Sequence, residues 1–441
     1  MRKLGMLVVA GVLASVAGCT APAVTPTQTS DTPTASASPT PTPTPTPTPS
    51  LPTLTPPRQF DTVHTVRLSP ADQVRAGTLS GDDFFTLNGD SVWGINVHDG
   101  SVAFRTPLGD PGPVSCWSQA VDGAGVYTVT MSAPAESATP ASLRVTAVDR
   151  GSGAVAWQFQ APSGALAAGA DCTSTTSTLT VTGHGLLLAL TQTDVATLGH
   201  PVTALSWMLD PATGHPLWQT ATDVLATDGA DFGVSVAPAL LPAPSGVVGY
   251  QASPVNLASG EVGQPFWVTG QSMKMAARYQ LAGRAGANLT LLAQNTIGAA
   301  TTTTVYEVAA ATGVATPQPV TQTQAVNLAT CQLAGLDRLV CTATDDPTAV
   351  LGVSLTDGST VWQHVFKAAD VTTTPLLFGD YLYGYDPTRL VSYVLDTASG
   401  NLLQTAAYPP AIAVNEAGLV FTVPSSGNAP AWQCWWAPAL A

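Results

Sequence analysis

The chain has 441 residues, a formal net charge of −14 and charged side chains at only 10% of positions. Fourteen Lys and Arg in the whole chain argue against a nucleic-acid partner, because phosphate binding needs clustered cations. The same acidity disfavours docking by charge on anionic lipid headgroups. Low charge with abundant Ala, Thr, Gly and Val fits strands and turns better than helices.

Taken in chain order, Arg2-Lys3 followed by Leu4 to Ala17 reads as a signal peptide, with a basic start and an apolar run too short for a comfortable membrane span. It ends in Val16-Ala17-Gly18-Cys19, which resembles a bacterial lipobox. That resemblance implies a signal peptide over 1–18 and a Cys19 sulfur that carries a diacylglycerol, with palmitate among the acyl chains. The alternative is an ordinary cleaved signal with an incidental Cys19. No later stretch is long and apolar enough to span. The expected location is the cell membrane, lipid-anchored on its extracytoplasmic face. Residues 19–57 are rich in Thr, Pro, Ser and Ala, with a Thr-Pro alternation from Pro39 to Pro49. With no apolar face to bury, they form a disordered, semi-rigid linker about 3.1 Å long per residue, a stalk on the order of 100 Å.

From 58 to 441 the pattern becomes short alternating runs joined by one phrase. It reads Asp149-Arg-Gly-Ser-Gly153-Ala-Val-Ala-Trp157, Asp210-Pro-Ala-Thr-Gly214-His-Pro-Leu-Trp218 and Leu355-Thr-Asp-Gly358-Ser-Thr-Val-Trp362. Alternation at period two marks half-buried strands, and a polar residue with Gly between two such runs marks a hairpin turn with φ > 0 at the glycine. Degenerate copies place turn glycines at 100, 260, 313 and 400 as well, spaced on average by 50 residues. A period near 50 with several short strands per unit predicts an all-β fold, a β-propeller of four-stranded blades. One unit reads as Pro113–Val121, Gly125–Met131, Leu143–Asp149 and Val155–Gln160. At the end of the chain Ala411–Val414, Gly418–Val423 and Ala431–Trp436 read as three strands without a fourth. Phe60–Leu68 reads as a strand without partners. Joining them predicts an eighth blade closed by an N-terminal strand, which removes open sheet edges. Eight blades give 48 residues each, nearer the spacing than the 55 of the alternative, seven.

The Asp-x-x-Thr/Ser-Gly-x-x-x-Trp phrase resembles the repeat of the pyrroloquinoline-quinone (PQQ) dehydrogenase-like propellers. The resemblance covers 58–441, good in three blades and degenerate in the others. It implies that Gly153, Trp157, Gly214, Trp218, Gly358 and Trp362 are structural, with each Trp docked between neighbouring blades. The family holds quinone-dependent dehydrogenases and also a non-enzymatic lipoprotein scaffold of the outer-membrane β-barrel assembly machinery. Lipobox, stalk and propeller together look more like the second kind. The stalk and the Ala/Thr-rich usage suggest a high-GC actinobacterial source, in which that assembly role does not transfer.

Outside the membrane, disulfides are expected. Cys331 and Cys341 flank a hairpin around Gly335–Asp337, and Cys116 and Cys172 start successive blades. These are the two candidate pairs, leaving Cys434 as a buried thiol in the closing blade or, alternatively, as one half of an intermolecular bridge. The resemblance implies that a quinone dehydrogenase needs Ca²⁺, a carboxylate base and two adjacent cysteines, and no Cys-Cys pair occurs. The six histidines lack metal-ligand spacing, and no nucleophile elbow or P-loop is present. Asp82-Asp83, Asp345-Asp346 and Asp228-Gly-Ala-Asp231 are the best cation candidates, yet each supplies only part of a hard-cation site. They read first as solvated turns.

The reading that follows is a non-catalytic binding or scaffold platform for an envelope protein or glycan, with no cofactor, no metal and no catalytic residue assigned. The alternative is an extracellular enzyme or small-ligand sensor using the central channel. The segments Ser132–Ala141 and Thr193–Val202 read as longer inserts suited to partner contacts.

Overall fold

The computed structural model describes residues 56–440, apart from 62, 69–76, 110–113, 133–141, 167–174, 195–199, 241–247, 270–275, 286–287, 298–299, 310–314, 320–327, 336, 344–348, 366–374, 387–390, 407–408 and 425–431. Cys19, the stalk up to residue 55, Cys172, Gly313 and Asp345-Asp346 lie outside the described residues.

The described residues form strands and turns and no helix. β1 (Val66–Arg67) comes first. Blade 1 is β2 (Thr78–Ser80), β3 (Asp83–Asn88), β4 (Ser91–Asn96) and β5 (Val102–Pro107). Blade 2 is β6 (Val114–Val121), β7 (Gly125–Ser132), β8 (Ser142–Asp149) and β9 (Val155–Gln160). Blade 3 is β10 (Thr175–Thr182), β11 (Gly185–Asp194), β12 (His200–Leu209) and β13 (Pro216–Thr220). Blade 4 is β14 (Asp223–Leu225), β15 (Phe232–Leu240), β16 (Val248–Asn256) and β17 (Phe266–Thr269). Blade 5 is β18 (Ala276–Ala285), β19 (Asn288–Ile297), β20 (Ala300–Ala309) and β21 (Ala315–Pro319). Blade 6 is β22 (Leu328–Ala334), β23 (Arg338–Ala343), β24 (Ala349–Ser354) and β25 (Thr360–Val365). Blade 7 is β26 (Leu376–Phe378), β27 (Tyr381–Asp386), β28 (Val391–Asp396) and β29 (Leu402–Ala406). β30 (Ala411–Asn415), β31 (Gly418–Pro424) and β32 (Trp432–Pro438) complete the count.

Seven sheets pair in simple chain order, and the eighth runs β30-β31-β32-β1. First strands meet first strands of neighbouring blades: β2 lies against both β6 and β30, β6 against β10, β18 against β22, and β26 against β30. The fold is a ring of eight four-stranded blades, a β-propeller, and the eight-blade reading of the sequence holds. Its closing strand is shorter than the Phe60–Leu68 alternation implied. Phe60 forms one bridge to Ala439, and regular pairing resumes only at Val66 and Arg67, opposite Trp436 and Trp435. Between them the Asp61 carboxylate accepts the backbone N–H groups of Val63 (2.9 Å) and His64 (3.0 Å), a local turn that competes with the ladder. Of the insert read at Thr193–Val202, the two ends belong to β11 and β12 and 195–199 lie outside the described residues, as do 133–141 of the insert read at Ser132–Ala141.

The core lies between blades. Val129, Val145 and Trp157 of blade 2 pack against Leu188 and Trp207 of blade 3, and comparable layers join blades 5 and 6 and blades 8 and 1. Such layers arise because each strand alternates its side chains between two faces, and each face meets a neighbouring blade.

The recurring phrase closes the hairpin between third and fourth strands. In the turns that open at Asn96, Asp149, Asp210, Asn256, Ser354 and Asp396, the N–H of the glycine four residues on donates to the carbonyl of the opening residue, at 2.8–3.0 Å. Most opening side chains brace the loop: Asp149 Oδ1 accepts from Ser152 N (2.7 Å), and Asp210 Oδ1 accepts from Ala212 N (2.8 Å). Gly214 has φ +73°, the left-handed region closed to most L-residues. It also lies under the Trp157 ring, which would overlap any Cβ at that position. Trp157 Nε1 donates to the Pro211 carbonyl of the same turn, 2.8 Å away. Trp218 repeats this on blade 4, with its ring on Gly260 and its Nε1 2.8 Å from the Leu257 carbonyl. Trp362 repeats it on blade 7 with Gly400 and the Thr397 carbonyl, again at 2.8 Å. Each Trp clasps the turn of the following blade.

Two substitutions separate the parts of this clasp. Trp157→Phe keeps a ring on Gly214 and loses one hydrogen bond, an expected cost of about 1 kcal/mol. Gly214→Ala strains the left-handed turn and displaces the ring as well, so it should cost more, about 2–4 kcal/mol. Urea unfolding of both variants checks the order; a Gly214→Ala protein as stable as wild type would refute the clasp.

Candidate functional site

Antiparallel strands place the first-to-second and third-to-fourth connections of every blade on one face of the ring. The second-to-third connections and the links between blades emerge on the other. On the first, or turn, face the described loops are short and tied across blade boundaries. Arg150 of blade 2 reaches back to blade 1, donating to the Ser80 hydroxyl at 3.0 Å and pairing with Asp83 at 3.2 Å. Asn415 of blade 8 donates to the Gly81 carbonyl of blade 1 at 2.9 Å. Arg338 of blade 6 donates to the Thr397 carbonyl of blade 7 at 3.3 Å. The acidic pairs considered for a cation are engaged here, Asp82 with His98 (3.1 Å) and Asp231 with His184 (3.4 Å).

The other candidates are distributed through the ring. Cys331 and Cys341 stand directly opposite on β22 and β23, both buried, and are joined as a disulfide. The Gln280 side chain of blade 5 grips the Cys331 backbone from the neighbouring blade, donating to its carbonyl at 2.6 Å and accepting its N–H at 3.2 Å. The backbone of Cys116 pairs with Met131, and its proposed partner Cys172 lies outside the described residues. Cys434 is a free, buried thiol whose pKa burial pushes up to about 12.

One polar cluster had no signature in the sequence. Asp223, the first residue of β14, sits at the strand end away from the turn face and is 7% exposed. Ser206 of blade 3 brackets its backbone, donating to the Thr222 carbonyl at 2.9 Å and accepting the Val224 N–H at 3.0 Å. The Asp223 carboxyl accepts the Tyr279 hydroxyl of blade 5 at 3.2 Å and a hydrogen bond from the Thr191 side chain of blade 3. Tyr279 in turn leans on Tyr250, ring centroids 5.3 Å apart. Burial raises the Asp223 pKa above its ordinary 3.8, and the two hydrogen bonds only partly offset it. Burial and the adjacent carboxyl raise Tyr279, and burial alone pushes Tyr250 up to about 12. Three blades thus converge on one acid that is costly to ionise.

The sequence has no adjacent cysteine pair, and among the described residues no three His, Cys, Asp or Glu side chains converge as metal ligands.

No protein-family model matches the chain, and no curated protein matches it in sequence. Similarity appears among solved structures. The quinohemoprotein alcohol dehydrogenase from Comamonas testosteroni is 9% identical over 85% of this chain and 75% of its own, with a TM-score of 0.51. The Dos1 propeller is 11% identical over 87% of this chain and 95% of its own, at TM-score 0.50. BamB from Moraxella catarrhalis is 15% identical over 86% of this chain and all of its own, and its TM-score of 0.43 adds nothing to the fold assignment. At such identities the likeness is one of fold.

The Asp223 cluster makes stability depend on pH in a definite direction. A carboxyl with a raised folded-state pKa binds its proton more tightly when folded. Its stabilising contribution is therefore complete below the unfolded pKa and lost as pH rises through the folded one. Asp223→Asn, neutral throughout, should raise the melting temperature at neutral pH and bring no gain near about pH 4. Melting curves across that range check it, and a variant destabilised at neutral pH would contradict the assigned shift.

Proposed function

We propose that this chain is an extracytoplasmic lipoprotein, anchored to the cell membrane through Cys19, whose propeller is a non-catalytic scaffold for an envelope protein or glycan. The observation that carries this reading is the closed ring of eight blades, a rigid framework whose loops are fastened to one another. The turn face spends its polar side chains on holding blade to blade, through Arg150, Arg338 and Asn415. At the opposite face Arg144 of blade 2 donates to the Leu108 carbonyl and Ser206 of blade 3 to the Thr222 carbonyl, so described residues fasten that end too. Loops carried on such a rigid framework are where recognition residues concentrate. The lipobox and the Pro/Thr stalk support an anchored protein that reaches outward. A second reading, a channel-based enzyme or small-ligand sensor, draws support from the Asp223 carboxyl, a buried acid with a raised pKa shared by three blades.

In-cell crosslinking followed by mass spectrometry separates them. The scaffold reading expects one stoichiometric envelope protein, lost when 58–441 is deleted and kept when the stalk is shortened. Failure to capture a protein, with failure to retain envelope glycan, would overturn it, and a ligand whose binding falls in Asp223→Asn would favour the second. Cys19→Ser should move the protein from the membrane fraction to the medium; unchanged membrane retention would refute lipidation at that residue.

A further inference from the structure

The described chain enters the propeller at a defined place. Pro56 packs on Gly379, in the turn between β26 and β27. The Pro57 carbonyl accepts the Tyr383 hydroxyl at 2.8 Å, and Arg58 Nε donates to the Tyr381 hydroxyl at 2.6 Å with its guanidinium over the same ring. Phe60, 1% exposed, is then gripped by Gln404, which accepts its N–H at 3.1 Å and donates to its carbonyl at 3.3 Å. Gln59 accepts the Leu440 N–H at 2.9 Å, at the last residues of the chain. The turn between β26 and β27 is a first-to-second connection, so this entry lies on the turn face. Residue 55 is covalently joined to Pro56, and whatever tethers the N-terminus therefore pulls on that face.

The same face carries a surplus of exposed negative charge. Asp82, Asp149, Asp231, Asp357 and Asp380 are all exposed in its turns. Of its guanidinium groups, Arg150 and Arg338 are 21% and 19% exposed and spent on cross-blade bonds, while Arg58 and Arg284 are exposed, fewer than the five exposed acids. A surface of this sign is repelled by anionic headgroups within about a Debye length, some 8 Å at physiological salt.

We propose that the turn face is the membrane-side face of the anchored protein and stands off an anionic bilayer, so that the opposite face is the one presented outward. This rests on the lipid-anchor reading for the tether, and on the entry clamp and surface charge for the orientation.

The test uses the full-length lipidated protein and a second form lacking residues 24–53, which brings the propeller within reach of the bilayer while keeping Cys19 and the clamp. Both are reconstituted in vesicles containing a phospholipid with a photoactivatable headgroup, and crosslinked peptides are mapped by mass spectrometry. In the shortened form, crosslinks should fall severalfold more often on turn-face peptides around Asp82, Asp149 and Asp357 than on peptides around Ser142 and Ser163 at the other face. Equal labelling, or the reverse, overturns the orientation. Arg58→Ala with Tyr383→Phe should reduce that preference, and an unchanged preference would remove the clamp as its cause. Anionic vesicles should give severalfold less turn-face labelling than neutral ones, with the difference lost in an Asp82→Asn, Asp231→Asn, Asp380→Asn variant; no difference between vesicle types overturns the stand-off. If the protein fails to associate with vesicles, lipidation of Cys19 is what fails. A maleimide phospholipid coupled to the Cys19 thiol then supplies the tether, and the same map decides the orientation.

Discussion

The ring depends on what one blade can offer the next at its outer edge. A four-stranded sheet buries both faces only if neighbours pack on each side, and an open sequence of blades would leave two faces and several strand edges bare. Apolar layers between blades supply most of the attraction but no angular precision. The Trp clasp supplies the latter, because a donor must meet a particular carbonyl and the ring fits only where the neighbouring residue lacks a Cβ. Trp157, Trp218 and Trp362 make that arrangement with Nε1–O distances of 2.8 Å in each case. A hydrogen bond of this kind contributes about 1 kcal/mol net, so its value lies as much in fixing the blade angle as in stability.

Where the Trp is missing, other groups occupy its station. Phe104 of blade 1 lies on Gly153 without a donor, and the Thr106 hydroxyl donates to the Gly153 carbonyl instead. Gln404 of blade 7 uses its amide to imitate a backbone segment against Phe60. In blade 8 the fourth strand comes from the other end of the chain, and the Arg67 carbonyl itself packs on Gly100. Ring closure therefore joins residues more than 300 positions apart. Its cost in chain entropy grows only slowly with that separation, which is why a single short N-terminal strand with a few hydrogen bonds suffices.

This explains what could be read from the sequence. Alternating strands, the turn glycines and the blade count are local or periodic, and blade 2 was legible to within a residue or two: Val114–Val121, Gly125–Ser132, Ser142–Asp149 and Val155–Gln160. The incomplete triplet of strands before the C-terminus and the solitary one near the N-terminus were enough to close the ring. The interruption of that closing strand at Asp61 was not legible, because a carboxylate that bonds the backbone two and three residues on looks like any other surface acid. Nor was the Asp223 cluster, whose members Thr191, Asp223 and Tyr279 come from three blades with no common spacing. Gln280 on Cys331 and Arg58 on Tyr381 belong to the same class: cross-blade polar pairs determined by the closed ring, which have no local pattern to betray them.

Those cross-blade pairs fasten both faces of the ring. The turns at first-to-second and third-to-fourth positions are bound to their neighbours through backbone carbonyls, as at Gly81, Pro211, Leu257 and Thr397. A carbonyl acceptor tolerates many side chains but no shift of the chain, so insertions there would break a seam. The other end of each blade carries ties of the same kind where its residues are described, Arg144 to the Leu108 carbonyl and Ser392 to the Pro409 carbonyl. The buried Asp223 lies at that end, where Ser206 and Tyr279 tie blade 4 to the blades on either side, so the cost of ionising it falls on a cross-blade tie as well as on the acid itself.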